Sequence, residues 1–490
     1  MKLRRAVLIP VALVPVALAA AGLLRYRRSG GAATGEGHRP VRATSRAARN
    51  VEVAALSARV GTATALTRAR QVFASAERRI SLDEDLQLRT AADVARTLGE
   101  MKGALMKIGQ MASYLDHGLP EPLRLALAQL QSDAPPMSAE LAAGTIAEEL
   151  GRAPEEVFLE WDPVPIAAAS IGQVHRAITA DGRAVAVKVQ YPGVADAIVA
   201  DLGNADLLFG ALGLAFPGLD PDPITAELRT RITEELDYRQ EARNQQLFAD
   251  YYAGHPFIHI PPVVAELSTG RVLTSELVTG STFAEAVTWD ERERDLIGET
   301  MFRFVFGSLY RLRAFNGDPH PGNYLFHGDG RVTFLDFGLV RRFSDEEMAS
   351  FQRMITEMVL NDDLVAFRRA VEDNGLLARG APVTTAEVGE YFSHFYTFVR
   401  RRGRFTWSTD YASATVRQTF NASSPVTRHT TVPASFVLIQ RINLGLYALL
   451  GQLAATADWR IIAEDIWPWV DRPADTELAR REIAWRSRPR

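Results

Sequence analysis

The chain reads NGDPHPGNYLFHGDGRVTFLDFGLVRR over residues 316–342, and its polar residues recur at informative distances. Asn323 lies five residues after Asp318, and Asp336 lies thirteen residues after Asn323. Residues 324–335 carry apolar runs on both sides of a Gly-Asp-Gly turn, which predicts a β-hairpin. Because antiparallel pairing returns the chain to the end from which it started, we expect Asn323 and Asp336 to lie close together. Their hard oxygen donors suit Mg²⁺ rather than zinc.

The order of these residues is that of a protein-kinase active site: Asp, Asn five residues later, and then Asp-Phe-Gly. This order predicts Asp318 as a catalytic carboxylate and Asn323 and Asp336 as metal ligands. The alternative is a turn rich in Asp, Asn, Gly and Pro that precedes a hairpin by chance. Any one of the residues alone fits that alternative, but the three at these spacings favour the kinase arrangement.

A lysine upstream matches the kinase residue that grips the α- and β-phosphates. Lys188 ends the alternating run Val185-Ala186-Val187, as in the kinase strand motif. Its partner would be a glutamate on the next helix, where residues 234–241 offer several acids. The alternatives are a charge at the end of a strand for Lys188 and a solvated helix face for the acidic run.

Hydrophobic patterning predicts an α+β fold. The predicted strands are 157–166, 174–180, 184–190, 257–264 and 271–278, with one helix over 224–252. After Gly280 the pattern is mostly helical apart from the hairpin. A five-stranded lobe with one helix followed by a helical lobe is not an alternating doubly wound sheet.

With these residues in view, the sequence resembles the UbiB (AarF-like) family of atypical protein-kinase-like proteins. The similarity covers about residue 50 to about residue 475. Glu241 falls where the family has its lysine-pairing glutamate. Three further segments match the family's Lys-x-Gly-Gln, alanine-rich and Glu-x-Asp motifs: Lys107-Ile108-Gly109-Gln110, Ala167-Ala168-Ala169-Ser170 and Glu235-Leu236-Asp237.

The resemblance implies a bilobal kinase-like fold with a helical N-terminal extension packed over the cleft. Lys107 and Gln110 would share one face of an extension helix, and Lys107 would face Glu235 and Asp237. Because alanine does not adopt the positive-φ conformations of a glycine-rich loop, ATP would bind in a different pose. The nucleotide-binding candidates are Ala167, Ala168, Ala169, Ser170, Ile171, Gly172, Lys188, Glu276 and Val278. Catalysis would involve Asp318, Lys188 and Glu241.

Two departures from ordinary kinases argue against a peptide-binding platform. No Ala-Pro-Glu motif closes an activation segment, and Asn316-Gly317 stands where kinases have His-Arg. Two histidines near the predicted site have structural interpretations. We expect His320 to position its loop through hydrogen bonds rather than carry a proton, and His175 to be structural.

The expected boundaries follow from these segments. We predict a membrane anchor, a flexible linker, a helical extension, an N-lobe, a C-lobe and a charged tail, over residues 1–28, 29–49, 50–150, 151–280, 281–475 and 476–490.

Residues 6–24 form an uncharged apolar run that would span about 28 Å as a helix, close to the thickness of a bilayer core. Basic residues flank the run, and more follow it, which places the downstream chain in the cytoplasm. The alternatives are a cleaved signal peptide and a segment that is neither.

Composition excludes several classes of function. The net charge of −4 provides no basic excess for binding nucleic acid. The chain has no cysteine, which excludes disulfides, thiolate nucleophiles and cysteine-ligated zinc.

The expected function is a membrane-associated enzyme that uses ATP and Mg²⁺. It would hydrolyse ATP or phosphorylate a small or lipid-like acceptor. The resemblance implies quinone biosynthesis or membrane lipid metabolism, with a quinone precursor as a possible substrate and biosynthetic enzymes as possible partners. Three alternatives remain: an ATP-gated binding module, a small-molecule kinase of the aminoglycoside or choline type, and a kinase of other proteins.

Overall fold

The computed structural model describes residues 138–488 except 170, 196–235, 318, 420–423 and 432–433, together with short stretches between 59 and 90. The predicted anchor, the linker, the Lys107–Gln110 motif, Ser170, Glu235 and Asp318 therefore lie outside the described residues. The chain forms two compact units, one of Met1–Ala134 with Gly193–Ile232 and one of Pro135–Pro192 with Thr233–Arg490.

The first unit is described only in part. Residues 59–68 are helical, and the Thr64 hydroxyl donates to the carbonyl of Val60. The second unit contains the kinase-like fold. No helix among the described residues has both the length and the apolarity to cross a membrane.

The second unit begins with an antiparallel sheet and the helices that cover it. Its first elements are α1 Ala139–Leu150, α2 Pro154–Val157, β1 Phe158–Ala169, β2 Gly172–Thr179, β3 Ala184–Gln190, α3 Tyr238–Tyr251, β4 Ile258–His259 and β5 Val272–Glu276. Four strands form one sheet in the order β1-β2-β3-β5. Alternation on β3 buries Val185, Val187 and Val189 beside Ile146 of α1. The predicted turn between β2 and β3 is present, with Gly182 at φ +84°.

The fourth predicted strand, 257–264, is not one of the strands of that sheet, although Val263 forms an isolated bridge to Ser275 of β5. Of residues 257–264 only β4 is a strand, and it pairs in parallel with the second strand of the later hairpin. Pro261 and Pro262 follow β4 and lack the N–H groups that a longer ladder requires. The prediction of a five-stranded lobe was therefore wrong by one strand, within the part of the chain that is described.

Of the predicted helix 224–252 the described residues begin at 236, and the helix does not include residues 236 and 237. Helix α3 begins at Tyr238, because Asp237 has extended backbone angles, φ −114° and ψ 97°. The Asp237 carboxylate accepts a hydrogen bond from the Arg239 amide at 3.0 Å, which is the N-cap contact of a helix start. Asp237 therefore caps α3 and is not part of a continuous acidic helix face.

The helical lobe follows β5. Its elements are α4 Phe283–Ala286, α5 Glu291–Gly307, β6 Ala314–Asn316, β7 Tyr324–Phe326, β8 Val332–Phe334, β9 Val340–Arg342, α6 Asp345–Ile355, α7 Leu364–Asp373, α8 Thr385–Ser393, α9 Thr397–Arg400, β10 Phe405–Thr406, α10 Thr409–Thr419, α11 Ala434–Leu453, β11 Thr456–Ala457, α12 Trp459–Ile466 and α13 Glu477–Arg486. The predicted hairpin is confirmed, since β7 and β8 pair antiparallel with Tyr324 opposite Phe334. The pairing of β6 with β9 was not predicted.

Two segments lie in different parts of the fold from those we expected. Helix α1 falls within residues 50–150, the predicted extension, but it packs on the sheet, and the second unit begins at Pro135. Residues 476–490, predicted as a charged tail, contain α13, whose Leu478 and Trp485 are buried. The other domain boundaries stay predictions.

A buried ion network joins three helices of this lobe. Arg303 of α5 is 1% exposed and lies 2.7 Å from Glu299, 3.0 Å from Asp465 of α12 and 3.0 Å from Glu482 of α13. Burial opposes the charge of Arg303, but the three carboxylates outweigh it and raise the pKa of the guanidinium. Removing this cation would take away the guanidinium that three buried carboxylates share, of which Glu482 also pairs with Arg486 and Asp465 lies near Arg472.

We expect Arg303→Met to lower the free energy of unfolding by about 3–5 kcal/mol. The exposed Arg292→Met is the control and should change it by less than about 1 kcal/mol. Urea unfolding monitored by tryptophan fluorescence measures both. Similar small effects for the two variants would show that the network does not stabilise the lobe.

Candidate nucleotide and metal site

The lysine of β3 is bound by a glutamate from the next helix. Lys188 Nζ donates to Glu241 Oε1 at 2.8 Å and to Oε2 at 2.9 Å. Both side chains are largely buried, 18% and 7% exposed. Glu241 lies in the first turn of α3, where the helix dipole favours a carboxylate. This is the pairing that the resemblance implied, and its role with a nucleotide stays a prediction.

A second carboxylate lies within ionic distance of the same ammonium. Asp336 Oδ2 is 3.6 Å from Lys188 Nζ, and the Tyr238 ring centroid is 5.0 Å from it. Burial disfavours the charge of Lys188, but Glu241, Asp336 and Tyr238 outweigh it, so the pKa of the ammonium is raised well above its ordinary value. The ion pairs are therefore fully present below the ordinary lysine pKa and are lost only as the pH rises through the raised value.

The Asp-Phe-Gly segment is held from several sides. The side-chain amide of Asn316 donates to the Asp336 carbonyl at 2.7 Å, and the Gly338 amide donates to Asp336 Oδ1 at 2.9 Å. Phe337 is fully buried, with its ring centroid 4.9 Å from that of Phe248 on α3. Asn316, which replaces the kinase histidine, thus fixes the backbone at the predicted metal ligand.

The hairpin brings Asn323 to the same end as Asp336. Residues Pro321–Asn323 form a 3-10 turn before β7, and the Leu335 amide donates to the Asn323 carbonyl at 3.0 Å. His320 Nδ1 accepts a hydrogen bond from the Gly322 amide at 3.1 Å, in line with a positioning role.

The donor set at this end fits magnesium. An amide oxygen and a carboxylate are hard ligands, and Mg²⁺ is commonly bound by one or two carboxylates together with substrate phosphates. Among the described residues no cluster of three or more His, Asp or Glu side chains forms a metal site without such phosphates. Asn323 and Asp336 remain candidate ligands, and Asp318 lies outside the described residues.

The predicted alanine-rich loop is mostly strand. Ala167, Ala168 and Ala169 end β1 and pair with Val174, Gln173 and Gly172 of β2. Alanine adopts extended backbone angles readily, so the ladder continues as far as Ala169, before the turn at Ile171. At Gly172 a Cβ would lie 2.2 Å from the Val189 carbonyl oxygen, which only glycine tolerates. Ile171 is buried beside this turn.

The remaining nucleotide candidates lie at the end of β5. The Glu276 amide donates to the Pro262 carbonyl, and its carboxylate lies 2.9 Å from His259 Nε2. Val278 is half-buried in the segment that follows. A nucleotide contact here would use backbone groups of Glu276 or Val278, since the Glu276 side chain already has a partner.

His175 has a structural environment, as expected. Its ring is fully buried, stacks on Trp161 at 4.5 Å and lies 2.9 Å from the Asp162 carbonyl through Nδ1. Burial lowers the pKa of this histidine, so the ring stays neutral near neutral pH.

Sequence reasoning missed Gly445 in the middle of α11. A Cβ at this position would lie 2.2 Å from Cγ of Pro319, in the loop that leads to Asn323. Ile442 and Leu446 on either side are fully buried, so α11 cannot shift away from Pro319 without disturbing the core. A glycine inside a long apolar helix pattern was the available signal, because it costs about 1 kcal/mol relative to alanine.

Comparisons with known proteins indicate the family. Residues 129–368 match the model of the ABC1 atypical kinase-like domain. The chain is 31% identical over 281 residues to "Atypical kinase COQ8, mitochondrial" of Saccharomyces cerevisiae, covering 57% of this chain and 56% of that protein. It is 37% identical over 259 residues to "Atypical kinase COQ8B, mitochondrial" of Rattus norvegicus, covering 52% and 49%. The chain thus spans about half the length of these curated relatives.

A solved structure extends the similarity over most of the chain. The complex of Rv3197 with erythromycin from Mycobacterium tuberculosis is similar with a TM-score of 0.60 and 31% sequence identity. The match covers 81% of this chain and 100% of that one.

Gly445 lies beyond the residues 129–368 that match the domain model.

We expect Gly445→Ala to impair the loop before Asn323. Carbon atoms pack at about 3.5–4.0 Å, so the added methyl group must displace Pro319 by roughly 1 Å. A displacement of about 1 Å can cost on the order of 100-fold in rate, which steady-state nucleotide turnover would detect.

Gly451→Ala is the matched control in the same helix. Its Cβ would lie 2.8 Å from the Ser408 backbone, before α10, which carries none of the predicted site residues. We expect it to lower the melting temperature without a comparable loss of turnover. Equal losses in both variants would mean that Gly445 acts through general stability.

Proposed function

The chain belongs to the ABC1 atypical kinase-like (UbiB/AarF) family, and on this premise we propose that it is an enzyme that binds ATP and Mg²⁺. The nucleotide phosphates would lie between Lys188 and the end of the site formed by Asp318, Asn323 and Asp336. The observation that carries this proposal is the Lys188 ammonium, 2.8 Å from Glu241 and 3.6 Å from Asp336. A fixed cation beside a metal-ligating carboxylate is complementary to a metal-bound polyphosphate.

Lysine usage in the chain supports a specific role for Lys188. Only four of the 55 basic residues are lysines, namely Lys2, Lys102, Lys107 and Lys188. Because almost all other basic residues of the chain are arginines, the buried lysine at position 188 indicates that an arginine could not replace it in the site. An ammonium is compact, whereas a guanidinium is planar and longer. Lys107 and Lys188 are also the two lysines of the predicted motifs.

The residues of this chain would divide the chemistry among them. Glu241 orients Lys188 toward the α- and β-phosphates. Asn323 and Asp336 would hold Mg²⁺, which neutralises charge on the phosphates when bound. Asp318 would accept the proton of the attacking hydroxyl, which belongs to water or to an acceptor. The hydroxyl oxygen would bond to the γ-phosphorus while the bond between that phosphorus and the bridging oxygen of the β-phosphate breaks.

The acceptor would be water or a small or lipid-like molecule. Relatives named COQ8 support a place in quinone biosynthesis, with a quinone precursor as substrate and biosynthetic enzymes as partners. The related complex with erythromycin supports binding of a large molecule other than a nucleotide. Residues 1–28 would anchor the chain in the membrane on the cytoplasmic side.

A second candidate is an ATP-gated binding module with little turnover. The complex of the related protein with erythromycin is compatible with it, because that protein binds a large ligand. ATP would then shift the population of binding-competent states. The two candidates differ in whether ATP is consumed.

ATP hydrolysis by the purified full chain with lipid vesicles tests the proposal. We expect Mg²⁺-dependent turnover that falls on the order of 100-fold or more in Asp318→Asn, the proton acceptor, with a comparable loss in Asp336→Asn. If the wild type hydrolyses ATP no faster than either variant, the result would contradict the proposal of an enzyme and would favour the binding module.

Labelling with an acyl phosphate of ATP tests Lys188 separately. The lysine amine attacks the acyl carbon, forms an amide and releases the nucleotide. With four lysines in the chain, mass spectrometry resolves each site. We expect Lys188 to be modified and ATP to block the modification. Labelling of Lys2 or Lys102 alone would contradict the predicted phosphate position.

We expect Lys188→Arg to lose turnover on the order of 100-fold, because the longer guanidinium displaces Glu241 and Asp336. Arg176→Lys is the reverse exchange on the neighbouring strand, where the side chain is 44% exposed, and should leave turnover unchanged. Steady-state assays measure both. Full activity of Lys188→Arg would show that only positive charge matters there.

A further inference from the structure

Helix α3 makes a second contact with the site, one turn beyond Glu241. The side-chain amide of Asn244 donates from Nδ2 to the carbonyl of Phe337 at 3.1 Å. Asn244 is 4% exposed and Phe337 is fully buried. Since Glu241 and Asn244 are three residues apart, they lie on the same face of the helix.

The orientation of the Asn244 amide is fixed by its neighbour. Gln240 Nε2 donates to Asn244 Oδ1 at 3.1 Å, which leaves Nδ2 directed toward the Phe337 carbonyl. The amide is thus held at both ends. A buried amide with both ends engaged is costly to rearrange, because an unpaired polar group would result.

Two asparagines hold consecutive carbonyls of the Asp-Phe-Gly segment. Asn316 of β6 donates to the Asp336 carbonyl, and Asn244 of α3 donates to the Phe337 carbonyl. Two successive peptide planes are therefore fixed, and the Gly338 amide holds the Asp336 carboxylate itself. Of the two asparagines, Asn244 is the one on the helix that carries Glu241.

We propose that Asn244 is a positioning residue that couples the lysine side of the site to its metal side. Helix α3 then holds Lys188 through Glu241 and the backbone beside Asp336 through Asn244. A shift of α3 would move both. The effect on Mg²⁺ rests on the proposed function, whereas the effect on the backbone does not.

Gln245 provides a matched control on the same helix. It is 2% exposed, and its Nε2 donates to the carbonyl of Pro261 at 2.7 Å. Gln245 is, like Asn244, a buried side-chain amide on α3 that donates to a backbone carbonyl. Its partner, however, lies in the segment after β4 and not in the Asp-Phe-Gly segment. A purely structural role for Asn244 would make the two residues equivalent.

The test compares Asn244→Leu with Gln245→Met in the full chain. Each change removes the donor to a buried carbonyl, and Asn244→Leu also removes the acceptor of Gln240, so both variants should have a lower urea midpoint. In Asn244→Leu the Mg²⁺ concentration for half-maximal ATP turnover should rise about 10-fold, the scale of one lost hydrogen bond. The KM for ATP at saturating Mg²⁺ should change much less, and Gln245→Met should leave both values near wild type.

Amide hydrogen exchange of residues 333–340 separates this proposal from the proposed function. Faster exchange in Asn244→Leu than in Gln245→Met, at matched stability, supports the positioning role even if the wild type hydrolyses no ATP. Equal exchange in the two variants overturns it. If the wild type is active, an unchanged Mg²⁺ concentration for half-maximal turnover in Asn244→Leu also overturns the positioning role. An equal change of that concentration in Gln245→Met overturns it too.

Discussion

The site depends on one buried ammonium with two carboxylate partners. Lys188 Nζ lies between Glu241 and Asp336, and its raised pKa shows that these partners outweigh the cost of burial. A buried cation without partners would be strongly disfavoured. The contact therefore requires that strand β3, helix α3 and the segment after β8 meet at one point. The predicted Mg-ATP chemistry would take place around this point.

Aromatic packing between α3, α5 and the hairpin supports that arrangement. The ring of Phe337 contacts Phe248 of α3 at 4.9 Å, Phe248 lies 5.8 Å from Phe304 of α5, and Phe304 stacks on Phe334 at 3.6 Å. This row of four rings links the helix that carries Glu241 to the core of the helical lobe and to the hairpin. Because close-packed interiors transmit displacement rather than absorb it, a change in the row would reach Asp336.

Local sequence was enough to predict the hairpin and the strand that carries Lys188. Both follow from short-range patterns, namely a glycine turn between apolar runs and alternation along β3. The errors have two causes. β4 pairs with the distant strand β8, whereas Asp237 caps a helix and three alanines extend a strand through partners close in sequence, where the residue types alone fit more than one local structure. Nothing local indicated that Asn244 reaches Phe337 or that Gly445 meets Pro319.

The most direct test of the account is electron paramagnetic resonance of Mn²⁺ added with ATP to the full chain, since Mn²⁺ accepts the same oxygen ligands as Mg²⁺. We predict one protein-bound Mn²⁺ with phosphorus coupling from the nucleotide, lost in Asp336→Asn. A bound metal that persists in Asp336→Asn, or the absence of any nucleotide-dependent Mn²⁺ binding to the wild type, would contradict the account.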